Sequence, residues 1–224
     1  DLTNTMQQTF YGIKDACWEG LTTTSCITTV TTRPNDQTNK TYVLTELFNA
    51  QAASVTLATT QVTSVTGFTA SESEACSGGS CSYSDLLSAL KSSRKGWYFN
   101  LPGYNGTSAS ERVLSRPAVL GGVVLFTTYK PAASICSIFG DSRLYALNFQ
   151  TGTAYSKAIV GSSSTGVGAT ASTTGNYVSK AIELGKGMPT AVGIAVGEKV
   201  TGFVQKSTGE IIRIEAESGT SVKS

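Results

Sequence analysis

Hydrophobic and β-branched residues alternate with threonine, serine and other polar residues along most of this chain. This alternation predicts β-strands. The run AVLGGVVLFTTY at 118–129 is the most apolar stretch, which predicts a buried central strand. Segments 143–159 and 199–218 each contain a strand pattern, a Thr-Gly turn and a second strand pattern, so each predicts a hairpin. Further strands are predicted at 8–17, 26–34, 41–48 and 54–68.

One short helix is predicted at about 84–94, within SYSDLLSALKSSRKG. Ser84 is the predicted N-cap, and Gly96 follows the basic last turn as a stop signal. Leu86 and Leu90 fall on one side of the helix. Because an isolated helix of this length is marginal in water, we expect these leucines to dock on a sheet.

The pattern favours one β-rich unit over 1–224 with two interruptions. Segment 69–95 is interpreted as an insertion that contains a disulfide loop and the helix. Segment 161–176 is rich in Gly, Ser and Thr and is interpreted as a loop, with an edge strand as the alternative. Repeated antiparallel hairpins are typical of β-propeller blades, although Thr-Gly turns are common and two similar hairpins can also arise without a repeat.

The composition favours a protein that works outside the cell. Only 14% of the residues are charged, below the usual quarter, and Thr, Ser and Gly replace them. The net charge of +2 comes without a lysine or arginine cluster, so neither nucleic acid nor an anionic membrane surface is indicated as a partner. No apolar run is long enough to span a bilayer. Since the chain opens on DLTNTMQQ without a signal peptide, we interpret it as a mature or cleaved product.

The five cysteines fit an oxidising compartment. Cys76 and Cys81 flank the flexible loop SGGS, and Cys17 and Cys26 bracket WEGLTTTS, so two disulfides are predicted. Metal binding is the competing interpretation, but the chain has no histidine and no CxxC pair. Cys136 is left over, as a free thiol or a link to a partner chain.

The residue types present do not predict an enzyme. The absence of histidine excludes Ser-His-Asp chemistry, and no catalytic or metal-ligating residues are assigned. A Ser-Lys pair in SALKSSRK lacks its supporting motifs, and Glu72 and Glu74 lie in a polar loop where solvation is expected. Trp18 and Tyr104 are the candidates for surface-binding aromatic residues. Packing of Trp18 under its own disulfide loop is the alternative.

Several motifs resemble one known family when they are read in order. They are QQTFYGIKD, YVLTELFNAQ, KGWYFNLP, ERVLSRPAVLGGVVLFTTYKP, Cys136 and SRLYALNFQTG. Their succession across 7–152 resembles the C-terminal β-propeller of the PilY1 family, the large tip-associated proteins of type IV pili. No single motif is diagnostic, and the resemblance depends on their order.

The resemblance implies a partial or modified propeller of antiparallel, four-stranded blades. It also implies an extracellular, pilus-associated protein that acts in pilus assembly, tip adhesion or surface sensing, with minor pilins or the tip complex as partners. Trp97 and Phe99 would point into an inter-blade core, with Tyr98 and Asn100 on the opposite face. Arg112 would open the next strand and hold a neighbouring loop through a carboxylate.

Two departures from the family limit what it implies here. The acidic calcium loop of the family does not occur in this chain, so no cofactor is predicted. The length supplies only three or four blades once the insertions are subtracted. Since a propeller must close or leave sheet edges open, we expect completion by an N-terminal fragment of the same precursor. An open, sandwich-like arrangement is the alternative.

Two other functions stay open at this point. The chain could be a self-assembling or heteromeric subunit of an extracellular filament, joined through unpaired strand edges. LYALNFQTG also resembles a blade hairpin of the quinoprotein dehydrogenases. That interpretation is weaker, because the chain has no adjacent cysteines and no aspartate identifiable in the catalytic role.

Overall fold

The structure of the protein is a computed structural model, and it is mostly β with one α-helix. It describes residues 4–14, 43–51, 53–58, 61–67, 80–102, 106–134, 139–156, 162–165, 174–196, 200–215 and 222–223. In these ranges the strands form several antiparallel sheets, and no closed barrel or propeller is found. The predicted all-β class with one short helix is confirmed.

The elements follow one another along the chain as seventeen strands, one α-helix and one short 3-10 helix at Leu44–Glu46 in the described ranges. The strands are β1 Thr9–Ile13, β2 Phe48–Asn49, β3 Ser54–Ala58, β4 Gln61–Thr66, β5 Ser80–Cys81, β6 Gly96–Asn100, β7 Arg112–Val113, β8 Ala118–Leu120, β9 Val123–Lys130, β10 Asp141–Asn148, β11 Ser162–Thr165, β12 Thr174–Val178, β13 Ala181–Lys186, β14 Gly193–Val196, β15 Val200–Gln205, β16 Ile211–Glu215 and β17 Val222–Lys223. The helix, α1, spans Tyr83–Ser93.

These strands form four sheets. The first sheet has the order β1-β6-β2, with β6 antiparallel to β1 and parallel to β2. The second sheet has the order β11-β12-β3-β4-β5. The central sheet has the order β13-β10-β9-β7, and β8 also pairs with β9. The last sheet has the order β14-β15-β16-β17.

The central sheet is apolar on both faces. Alternate residues of β9 and β10 point to opposite sides, as the two-residue period of a strand requires. One face joins a core with residues of the first two sheets and α1, which we call the aromatic core. The other face joins a core with β13, β15 and β16, which we call the aliphatic core. The predicted buried strand at 118–129 is therefore confirmed by β9, from Val123 to Thr128.

Stacked rings join the first sheet to the central sheet. Phe10 lies between Trp97 and Phe126, with ring centroids 5.9 Å and 4.1 Å away. Phe126 in turn stacks on Tyr145 at 4.9 Å, and Phe99 meets the edge of Tyr145 at 5.6 Å. Such pairs add about 0.5–1.5 kcal/mol each beyond the area that they bury. The predicted burial of Trp97 and Phe99 is confirmed, whereas the inter-blade character of their core stays a prediction.

Trp97 requires glycine beneath its ring. A Cβ atom added to Gly12, its cross-strand neighbour, would lie 2.2 Å from the indole, and one added to Gly152 would lie equally close. The indole nitrogen donates a hydrogen bond to the carbonyl oxygen of Phe149 at 2.8 Å. The aromatic core therefore fixes the 149–152 turn as well as the sheet.

The N-cap of the helix lies two residues before the predicted one. Ser82, not Ser84, is the N-cap, and its hydroxyl accepts a hydrogen bond from the backbone N–H of Asp85. Leu86 and Leu90 are buried in the aromatic core, as expected from their spacing. Gly96 opens β6 with a φ of 147°, so the stop signal marks the next strand rather than the C-cap, which is Arg94.

Of three further strand predictions, one is confirmed and two meet a different local structure. The hairpin predicted at 199–218 is confirmed by β15 and β16. The prediction of a return strand in the 143–159 hairpin is wrong over 149–156. In that range only Ala154 bridges back to Leu147. Buried hydroxyls of Thr151 and Thr153 hold that segment as a turn instead. In segment 161–176, predicted as a loop, residues 162–165 form the edge strand β11, and β12 begins at 174.

Candidate functional site

In the described residues, a cluster of hydrogen-bonded polar side chains surrounds a buried carboxylate at the edge of the central sheet. Glu111 directly precedes β7. Because β7 pairs with β9, the Glu111 side chain lies against the central sheet. The residue is 2% exposed. Its Oε1 accepts hydrogen bonds from the hydroxyls of Thr128 at 2.5 Å and Tyr145 at 2.9 Å. Its Oε2 accepts one from Nη1 of Arg143 at 2.6 Å. We call these four residues the Glu111 brace.

Arg143 connects the brace to the surface. Its Nε donates to Oε1 of Glu183 on β13 at 2.5 Å. Burial lowers the pKa of the guanidinium, but the hydrogen bond to Glu183 and the charge of Glu111 outweigh it, so the pKa lies above its usual value. Burial first, and then the charge of Glu111, raises the pKa of Tyr145 well above its usual value. Arg143 therefore stays cationic and Tyr145 stays protonated at neutral pH.

A pocket of about 290 Å³ opens beside Arg143. Its lining is entirely charged: Glu111, Lys130, Asp141, Arg143 and Glu183. At its rim the ammonium of Lys186 lies 2.7 Å from Oδ1 of Asp141. Since three donors already occupy the carboxylate of Glu111, this group is an acceptor held in place rather than an open base. The geometry joins β7, β9, β10 and β13 through one buried charge.

Lys180 is a second buried polar group and has a different environment. It lies between β12 and β13, and its ammonium donates to the carbonyl oxygens of Ala50 at 2.8 Å and Gln51 at 3.0 Å. The ammonium also lies over the ring of Phe99, 5.4 Å from the centroid. Burial lowers the pKa of Lys180 to about 7. The side chain links the segment after β2 to the central sheet.

The sheets at the two ends of the stack expose side chains of another kind. Tyr11 of β1 is 51% exposed on the outer face of the first sheet. On the last sheet Phe203 and Ile211 are 38% and 60% exposed, while Val204 and Ile212, next to them in sequence, are buried. Both outer faces therefore present large apolar side chains to solvent.

Most of the predicted site residues lie outside the described residues: Cys17, Trp18, Cys26, Cys76, Tyr104 and Cys136. Cys81, on β5, is disulfide-bonded, and its partner lies outside the described residues too. Both predicted pairings therefore stay predictions. In the part of the chain that the structure describes, no three Cys, Asp or Glu side chains are grouped to hold a metal ion. That part also contains no helix long and apolar enough to cross a membrane.

The role predicted for Arg112 is wrong in its partner. The guanidinium holds the 4–14 segment through the backbone carbonyl oxygen of Asn4 at 3.4 Å, and it also donates to the carbonyl oxygen of Ser110 at 3.2 Å. The neighbouring Glu111 side chain turns to the other side and is used by Arg143 instead. Strand alternation explains this, because successive residues at the start of β7 point to opposite faces.

The sequence interpretation missed Glu111, Arg143, Tyr145 and Lys180 as a set. One signal was present: Arg143 and Tyr145 are two residues apart in a strand pattern, so they share a face. A basic residue on a face that carries buried aromatic residues needs an acid partner. Lys180 offers no comparable signal, since its partners are backbone carbonyl groups.

Comparisons of the chain with family models, with curated proteins and with solved structures found no match.

Proposed function

We propose that this protein is a non-enzymatic binding and assembly protein of the cell surface, working in the type IV pilus system. The motifs that resemble the PilY1 family support the pilus assignment, since they occur in the family's order over 7–152. In this proposal the chain forms the C-terminal part of a larger, modified propeller. Its roles are pilus assembly, tip adhesion or surface sensing, and its partners are minor pilins or the tip complex.

The observation that carries the proposal is the uncovered end of the sheet stack. The central sheet is covered on both faces, whereas the last sheet is covered on one face only in the described residues. Its outer face presents Phe203 and Ile211, diagonal neighbours across β15 and β16. Propeller blades stack face to face, so this face suits a further blade supplied by an N-terminal fragment of the same precursor.

The buried polar groups favour a structural role over catalysis. Glu111 is committed to three donors, and the Lys180 ammonium to two carbonyl oxygens. Groups held in this way stabilise the packing of sheets and leave little capacity for proton transfer. No cofactor is part of the proposal.

The test is to isolate the protein from the sheared pili of the cells that produce it. Intact mass spectrometry under reducing and non-reducing conditions, with sequencing of every co-purifying chain, identifies its partners and the state of Cys136. We expect a low-copy complex with minor pilins and an upstream fragment, absent from cells without the major pilin. Recovery in equal amount from cells without the major pilin would overturn the pilus assignment.

A matched pair of variants tests the uncovered face. Phe203→Asp with Ile211→Asp should release the upstream fragment, because charges replace the apolar contact. Val119→Asp, at a 63% exposed position of β8 in the central sheet, is the control and should retain the fragment. Equal loss in both variants would argue against the last sheet as the contact.

A subunit of an extracellular filament is the second candidate. The observation that favours it is β1, an edge strand that has no charged residue and exposes Tyr11 and Ile13. Such edges pair readily with further strands. Recovery of a single 23.3 kDa species in many copies would favour this function over the tip complex.

A further inference from the structure

We infer that the outer face of the first sheet is a binding site for an uncharged carbohydrate. The inference deepens the proposed surface-binding function by naming a ligand class and a face. It concerns five side chains, which we call the tyrosine–amide face: Thr9, Tyr11, Asn49, Tyr98 and Asn100.

Strand register places these side chains together. Tyr11 lies directly opposite Tyr98, and Asn49 of β2 lies opposite Tyr98 on its other side. Thr9 lies opposite Asn100 in the next row. Residues in register share a face, and two rows on one face are about 7 Å apart along the strands. The face thus presents one row with two tyrosines and an amide, and a second row with a hydroxyl and an amide.

The opposite face of the same strands is fully used by the core. Phe99 and Trp97 are buried, and Phe10 packs against both the indole and Phe126. Alternation then fixes the direction of the tyrosine–amide face, which points away from the core. Tyr11 is 51% exposed, and the other four members are partly exposed.

The side-chain amides of Asn49 and Asn100 can donate hydrogen bonds to a ligand. Oδ1 of Asn100 accepts from the hydroxyl of Thr9 at 2.8 Å, and Oδ1 of Asn49 accepts from the backbone N–H of Gln51 at 3.1 Å. Each contact orients its amide and assigns the oxygen to the protein. The two donors of each amide NH₂ group are then available to sugar hydroxyls, which also donate and accept.

The rings supply the other half of a sugar site. A tyrosine offers an apolar ring face and a polar tip, and it loses little conformational entropy on binding because it has only two side-chain torsions. A sugar ring likewise has an apolar C–H face and a rim of hydroxyl groups. Gly96, next to Tyr98 on the same face of β6, adds no side chain that would stand above the rings.

Charge decides the class of carbohydrate. None of the five members carries a charge. β1 contains no cation, and Lys14 follows its last residue. The ammonium of Lys14 donates a hydrogen bond to the carbonyl oxygen of Lys91. An acidic sugar would gain no ion pair on this face, so a neutral glycan fits it best.

The experiment uses the full chain and titrates it with cellohexaose, N-acetylglucosamine hexamer and maltohexaose. The galacturonic acid hexamer is the charged comparison. Saturation-transfer NMR detects binding, and chemical-shift titration gives Kd. We expect at least one neutral hexamer to bind with a Kd on the order of 1 mM, as a shallow exposed site allows.

Two variants and one control locate the site. Tyr11→Ala should weaken binding about tenfold or more, and Asn100→Ala about threefold, because they remove a ring face and an oriented amide. Phe149→Ala, at an exposed aromatic position in the turn after β10, should leave Kd unchanged. Since Tyr11 is largely exposed, the thermal midpoint of its variant should stay close to that of the wild type, which separates binding from folding.

Four results would overturn the inference, the last of which assigns the face to another occupant. The first is no saturable binding of any neutral hexamer at concentrations up to about 20 mM, which is well above the expected Kd. The second is equal affinity for the galacturonic acid hexamer, and the third is a Tyr11→Ala variant that binds like the wild type. A concentration-dependent dimer that Tyr11→Ala abolishes would assign the face to a second copy instead. Recovery with pili is measured separately, so failure of sugar binding leaves the pilus proposal standing.

Discussion

Two buried polar groups beside the central sheet show how the type of partner decides what a buried charge does. The carboxylate of Glu111 meets three side-chain donors, one of them a guanidinium. The ammonium of Lys180 meets only two backbone carbonyl oxygens and an aromatic ring. A buried charge with an opposite charge beside it can stay ionised, whereas one with dipoles alone tends to lose its ionised form.

The difference appears in the titration of the two regions. Desolvation alone lowers the pKa of Lys180 to about 7. Around Glu111 the partners keep their protons, since the pKa values of both Arg143 and Tyr145 are raised. Arg143 and Tyr145 should therefore not titrate near neutrality, whereas Lys180 should.

The largest expected effect comes from removing the carboxylate of the brace. Glu111→Ala leaves the hydroxyls of Thr128 and Tyr145 without their acceptor and Arg143 without its buried counter-charge. Breaking a buried pair in this way costs about 3–5 kcal/mol of unfolding free energy. Urea denaturation followed by circular dichroism measures it.

Glu183→Ala is the matched control for that substitution. Glu183 pairs with the same guanidinium but is 61% exposed, so its loss should cost less than about 1 kcal/mol. If both variants lose the same free energy, burial does not distinguish the two carboxylates, and the comparison fails.

The second expected effect is a stability that rises with pH because of Lys180. Its pKa is lower in the folded protein than in the unfolded chain, which therefore binds more protons between about pH 7 and the usual lysine pKa of 10.5. The unfolding free energy should increase by up to about 3 kcal/mol between pH 7 and about pH 9.5. Lys180→Met, which keeps the length without the charge, should remove most of that slope.

Urea denaturation at both pH values measures the slope in wild type and variant. The range ends below pH 10, where tyrosines ionise in the unfolded chain. The folded pKa of Tyr145 lies higher, so its contribution to stability is lost only above that range. An equal slope in Lys180→Met would show that another group causes the pH dependence.

The sequence predicts the parts of this fold that depend on local alternation. The burial of Trp97 and Phe99, the apolar central strand and the docking of Leu86 and Leu90 all follow from residue periodicity. The sequence does not predict which strands meet. β10 pairs with β9 and β13, and the expected return strand after it does not form within 149–156, because strand partners are chosen by long-range packing.

The candidate sites divide in the same way. Glu111 and Arg143 are 32 residues apart, and their pairing depends on strand order rather than on a motif. The tyrosine–amide face is nearer to prediction, because the outward direction of Tyr98 and Asn100 was expected from the burial of their neighbours. What could not be predicted is that β1 and β2 would flank β6 with Tyr11 and Asn49 in one row.

The smallest expected effect isolates one donor of the brace. Tyr145→Phe removes a buried hydroxyl but keeps the ring that stacks on Phe126. The carboxylate retains two donors, so the loss should be about 1.5–3 kcal/mol, the usual value for one hydrogen bond to a charged group.

Tyr155→Phe is the control, because its hydroxyl donates to the carbonyl oxygen of Gly121 at an exposed site. There water replaces the lost donor, and urea denaturation should show a change within about 0.5 kcal/mol. A loss at Tyr145 no larger than at Tyr155 would mean that the carboxylate of Glu111 is satisfied without the tyrosine. The contrast with Lys180 would then depend on the guanidinium of Arg143 alone.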